Sequence, residues 1–128
     1  MPELRKSPVI GRWVIISTER GKRPIDFEVA REKISGKFCP FCPGNEDKTP
    51  LEILAYRDPK TKPDTEGWSV RVVPNKFPAL RIEGDLGKRG IGIYDMMEGI
   101  GAHEVLIESP YHDKNIQYLN SNHIETIF

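Results

Sequence analysis

Cys39-Pro40-Phe41-Cys42-Pro43-Gly44-Asn45 confines this chain more tightly than any other stretch. Two thiols separated by two residues, on a segment bent by prolines and a glycine, can hold one face of a tetrahedral zinc site. Pro40 pre-sets the turn, and Gly44 admits backbone conformations that direct amides toward sulfur. A thiol redox pair is the competing chemistry, and it normally sits between a strand and the first turn of a helix. Pro43, Gly44 and Asn45 oppose an immediate helix, which weighs toward metal. Zinc then needs two further ligands, and the histidines to choose from are His103, His112 and His123.

His112 directly follows a strand-like segment, where a ligand is well held, so it is the expected third ligand. Spacing alone would sooner make it a surface-loop residue. His103 reads as a buried or sheet-face histidine. His123 falls in a first helical turn, where a cation is unfavourable, and reads as a bystander.

Short extended segments surround the knuckle. Residues 12–17 (RWVIIS) are rich in β-branched and aromatic side chains and predict a strand with both faces covered. Residues 51–56 and 68–73 predict two more, the latter stopped by Pro74. AHEVLIES, residues 102–109, sets Val105 and Ile107 against Glu104, Leu106 and Glu108, the pattern of a half-buried strand. The glycine-rich stretch 83–101 predicts a mobile loop or strands joined by tight turns. A weak helical or irregular stretch is expected over Phe27–Ser35. Asn122 with Glu125 three positions later resembles a capping box, and the helix it opens is met by the last residue within two turns, as though cut mid-element.

Lys plus Arg equals Asp plus Glu, 19 against 19, which gives no support to non-specific nucleic-acid binding or a polybasic membrane contact. No apolar run approaches the ~20 residues of a membrane-spanning helix. The first residues carry charge without an apolar core of signal-peptide length. A cytoplasmic protein is therefore expected, whose paired cysteines hold metal or do redox chemistry rather than form a structural disulfide. Two clusters could meet an anionic ligand. Arg20 and Arg23, with Lys22 between them, sit on a basic loop stiffened by Pro24 and could grip phosphate oxygens bidentately, although a solvated loop would look the same. Asn75 and Lys76 lie between two prolines, placed to meet a ribose or phosphate or to form an ordinary turn.

Four blocks in order, ELRKSPVIGRWVIISTERGKRP, CPFCPGNE, VRVVPNKFPAL and GAHEVLIESPYHDKN, resemble the galactose-1-phosphate uridylyltransferases and their relatives in the histidine-triad superfamily. The likeness runs over nearly the whole chain. It implies an α+β fold with a largely antiparallel sheet forming an open half-barrel with flanking helices, residues 1–128 being an N-terminal domain. It implies ping-pong transfer of UMP from UDP-glucose to galactose 1-phosphate through a uridylyl-histidine, in a zinc-containing homodimer. Residue by residue, Cys39, Cys42 and His112 resemble zinc ligands. Arg20 and Arg23 resemble arginines that reach the nucleotide sugar across the dimer interface. Asn75 and Lys76 match a nucleotide-contacting pair, Lys76 replacing an acidic residue of some members. Phe41 and Val73 fall where apolar residues flank the base. His103 stands outside the zinc set. The family's His-x-His motif, which supplies the nucleophile and another zinc ligand, is absent from these residues, so the resemblance places no catalytic residue here and implies incomplete metal binding. An adenylyl-transferring relative of ADP-sugar phosphorylase type and a non-catalytic zinc-binding module are the alternatives.

Overall fold

The computed structural model describes residues 2–22 and 38–128; Arg23, Pro24 and the stretch Phe27–Ser35 lie outside the described residues. The chain divides into two units, one built on residues 2–22 with Phe77–His103, the other on residues 38–76 with Glu104–Phe128.

The first unit is a four-stranded antiparallel sheet. Its strands are β1 (Glu3–Lys6), β2 (Trp13–Ile16), β5 (Arg89–Ile91) and β6 (Tyr94–Glu98), in the order β2-β1-β6-β5. Leu4 pairs with Ile15 on one side and Met97 on the other. The β1–β2 turn closes when Ser7 N–H donates to the Arg12 carbonyl at 2.8 Å. Gly92 and Ile93 join β5 to β6, and the φ of +59° at Gly92 is what the first central position of a type II′ hairpin turn requires. Thus part of the glycine-rich stretch resolves into strands and a tight turn. The strand expected at 12–17 is present, yet its two-sided coverage is not: β2 is the sheet's edge, and Trp13, Val14 and Ile15 are exposed in this chain. A 3-10 helix over Thr18–Lys22 follows it.

The second unit carries the cysteines. Its sheet is β3 (Leu54–Arg57), β4 (Trp68–Pro74) and β7 (Glu104–Ile107), again antiparallel, with β4 central. Val73 pairs with Val105 and Arg71 with Ile107. Trp68, Val73 and Ile107 form the buried cluster, with Ala55 and Val105 packed on it. Burying side chains of this size contributes about 1.5–3 kcal/mol each. The alternation foreseen in AHEVLIES holds, Ile107 being buried while Leu106 is exposed. Pro74 pairs with Glu104 as the last residue of β4.

One charge lies inside this apolar strand. Arg71 is 1% exposed. Its guanidinium donates to Glu52 Oε2 (2.9 Å), Thr49 Oγ1 (2.8 Å) and Asp64 Oδ1 (2.9 Å). Glu52 also accepts two bonds from Arg57, at 2.7 and 2.6 Å. A buried cation persists only when its donors are met in this way.

The single α-helix among the described residues, α1 (Ser121–Ile127), lies against β4. Its N-cap is Asn120, not Asn122: the Asn120 side chain accepts from His123 N–H at 2.8 Å. Asn120 has the extended backbone a cap adopts, whereas Asn122 is already helical. No helix among the described residues is long and apolar enough to cross a membrane. The expected antiparallel architecture is present.

Candidate metal centre

The knuckle is a pair of overlapping turns. Cys42 N–H donates to the Cys39 carbonyl at 3.3 Å, with Pro40 at the second position of that turn, and Asn45 N–H donates to the Cys42 carbonyl at 3.1 Å. Gly44 has a φ of +93°, and a Cβ placed there would lie 3.0 Å from Glu66 Oε1. The Asn45 side chain donates back to the Cys39 carbonyl at 2.8 Å. Both sulfurs therefore face one side of a turn whose ends are tied.

His112 is delivered by the loop after β7. Ser109 is buried, and its hydroxyl accepts from Tyr111 N–H at 3.1 Å. Lys114 Nζ sits 4.6 Å from the centre of the Tyr111 ring, a cation–π contact that folds the loop on itself. The result places His112 Nδ1 3.2 Å from Cys42 Sγ. The ligand atoms of Cys39, Cys42 and His112 all lie within 4.8 Å of one another.

These three residues fit a metal ion. Tetrahedral zinc with two thiolates and an imidazole would place ligand atoms roughly 3.5–3.8 Å apart, within the spread seen here. Both cysteines are free thiols and half-buried. Desolvation pushes the Cys42 thiol above its usual range, and the hydrogen bond and charge of the adjacent Cys39 push it further. A cation between the sulfurs would reverse that penalty, because thiolate is the ligating form.

A cleft of about 310 Å³ opens beside the cluster, lined in part by Phe41, Glu108, Tyr111 and Lys114 as well as Cys39, Cys42 and His112. Phe41 is 42% exposed on this cleft. Val73 is 1% exposed within the core and in the central strand, so it presents almost no surface to a ligand. Asn75 is half-buried and engaged in an interaction of its own, and Lys76 is exposed. Arg20 is half-buried in the 3-10 helix of the first unit. His103 lies in that unit too, where its Nδ1 accepts from Ala79 N–H at 2.8 Å, which leaves the proton on Nε2 when the ring is neutral.

Three residues that organise the site carry no motif. Glu46 is 6% exposed, accepting from Gly44 N–H through Oε2 and from Trp68 Nε1–H through Oε1, both at 2.9 Å. Trp68 thereby joins knuckle to core. His123 stands outside the cysteine–histidine cluster, as expected, but its Nε2 lies 2.6 Å from the Glu108 carbonyl, which fastens α1 to the segment just after β7.

No protein-family model matches the chain. It is 40% identical over 116 residues to an ADP-glucose phosphorylase of Arabidopsis thaliana, a match covering 87% of this chain and 32% of that protein. It is 26% identical over 134 residues to a galactose-1-phosphate uridylyltransferase of Haemophilus influenzae, covering 98% of this chain and 35% of that one. Against the crystal structure of an ADP-glucose phosphorylase from Arabidopsis thaliana with bound ADP-glucose, it gives a TM-score of 0.52 at 37% identity, over 99% of this chain and 34% of that chain. A uridylyltransferase structure gives 0.60 at 25% identity, over 98% and 31%. The chain spans about a third of the length of the relatives it matches. Likeness in sequence and in fold together make it a homologue of the galactose-1-phosphate uridylyltransferases and of the related ADP-glucose phosphorylases.

Proposed function

We propose that this chain forms the metal-holding part of a nucleotidyltransferase that exchanges UMP between UDP-glucose and galactose 1-phosphate through a uridylyl-histidine intermediate. The observation that carries the reading is the convergence of Cys39, Cys42 and His112 in a homologue of such enzymes. These 128 residues hold no His-x-His. The nucleophile and a further ligand are therefore assigned to other parts of a longer protein, of which this is the N-terminal domain.

Zinc suits two thiolates and an imidazole better than magnesium or calcium, which prefer oxygen. When bound, the ion would fix the knuckle against the His112 loop. The remaining roles fall to the chain's own residues. Phe41 offers an apolar face to a base, and Asn75 offers hydrogen bonds to ribose or phosphate. Arg20, Arg23 and Lys76 offset phosphate charge. An open half-barrel with flanking helices, a homodimer that supplies Arg20 and Arg23 across its interface, and a cytoplasmic setting that keeps the thiols reduced complete the reading.

An adenylyl-transferring version, acting on ADP-glucose, is favoured by one observation: identity is 40% with the Arabidopsis phosphorylase against 26% with the uridylyltransferase. The test is to offer the full-length protein UDP-glucose and ADP-glucose in parallel, with galactose 1-phosphate and inorganic phosphate as acceptors. Transfer from UDP-glucose to galactose 1-phosphate supports the first version, and phosphorolysis of ADP-glucose supports the second. Binding of neither sugar nucleotide removes the enzyme reading and leaves a non-catalytic metal-binding module.

A further inference from the structure

We propose that Glu46 is a positioning residue for the metal-binding knuckle, tying the spacing of its ligands to strand β4; this rests on the metal reading above. The residue lies four positions after Cys42, in a polar run that ordinarily faces solvent, yet it is 6% exposed. A carboxylate removed from water needs donors, and here both oxygens have one. Oε2 accepts from Gly44 N–H and Oε1 from Trp68 Nε1–H, each at 2.9 Å.

The backbone of the same residue is held as well. Its carbonyl accepts from Thr49 Oγ1 at 3.0 Å, and Thr49 Oγ1 accepts from Arg71 Nη1 at 2.8 Å. Trp68 and Arg71 both belong to β4. Glu46 is thus linked to that strand twice, directly through its carboxylate to Trp68 and, by way of Thr49, from its carbonyl to Arg71. At the other end, Gly44 is two residues from Cys42, and Asn45 returns to the Cys39 carbonyl. The turn bearing both sulfurs is clamped from each side.

Glu46 is not one of the converging ligand groups, which are Cys39, Cys42 and His112. It acts on the metal through orientation, as hydrogen-bonding partners of ligands commonly do, and losing such a partner typically lowers metal affinity about 10–100-fold. Glu46→Gln is the informative change. The amide keeps one acceptor and sets an NH2 group against either the Gly44 amide or the Trp68 indole, both of which are donors.

The experiment titrates the full-length protein with Co2+, following the thiolate-to-metal charge-transfer and d–d bands, with Zn2+ affinity from competition against a chromophoric chelator. Thermal unfolding of the metal-free proteins is recorded alongside. Wild type is expected to take up one ion, and Glu46→Gln to bind it about 10–100-fold more weakly with altered d–d bands, at a temperature where its metal-free form is folded. Unchanged affinity and spectrum in Glu46→Gln, with only a lower midpoint, would make Glu46 a purely structural buried carboxylate and overturn the proposal. Should the Gln variant not fold, Trp68→Phe decides the matter, since it removes one donor and keeps the carboxylate: weaker binding supports the proposal and wild-type binding overturns it. Absence of uptake by the wild type overturns the metal reading and this proposal with it, whereas uptake unaffected by the variants overturns the proposal alone.

Discussion

Cys42 Sγ and His112 Nδ1 lie 3.2 Å apart although 70 positions of sequence separate them. Removing either group breaks the donor set. Cys39→Ser, Cys42→Ser and His112→Ala are each expected to lower zinc content and to abolish most of the rise in Tm that zinc gives the wild type. Metal analysis after gel filtration, with thermal scans at fixed zinc concentration, checks this. Full stoichiometry in both cysteine variants would refute the ligand assignment.

Uptake should depend on pH in a defined direction. Thiolate is the ligand, and burial together with Cys39 holds the Cys42 thiol above its usual range. Protons therefore compete with metal up through the ordinary thiol range and beyond it. Apparent zinc affinity should rise steadily from pH 6 to pH 8, with protons released on binding. Isothermal titration in buffers of different ionisation enthalpy reads that release. A pH-independent affinity would mean that no thiol is a ligand.

Gly44→Ala should destabilise the second unit by about 1–2 kcal/mol. The backbone there has a φ of +93°, which L side chains resist, and the new methyl group would press on Glu66. Denaturant unfolding of wild type and variant measures it. Equal midpoints would show that the turn relaxes at no cost.

Arg71→Ala is expected to cost about 3 kcal/mol. Asp64 can turn to water, but Glu52 is nearly buried and would keep Arg57 as its only charged partner among the described residues. Unfolding midpoints compared with those of an exposed control, Arg89→Ala, separate this loss from a general charge effect.

Much of the second unit is legible in the chain itself. WSVRVVP reads as a strand because β-branched residues crowd it, and the alternation in AHEVLIES names the face that Ile107 buries. The knuckle is legible because proline and glycine leave a turn few alternatives. β1 is not, since ELRK is mostly charged and becomes a strand only by pairing between β2 and β6. Glu46 is hidden for a similar reason: nothing in NEDK sets it apart from Asp47, and its partner Trp68 is 22 residues away. Arg71 offered a signal, because a lone cation within an apolar strand must find anions. Which anions those are is decided by a loop whose shape the local residues do not dictate.

The distance in sequence between Cys42 and His112 has a thermodynamic consequence. Any ion held by both acts as a staple on the chain, closing a loop of 70 residues that contains β3 through β7. Shrinking the denatured ensemble by a closure of that size is worth about 4 kcal/mol on the chain-entropy estimate used for disulfides. Chelation would then loosen far more than the knuckle. Amide exchange would quicken along β4 and β7 as well as in the turn, and the ion would be as much a part of the fold as any side chain in it.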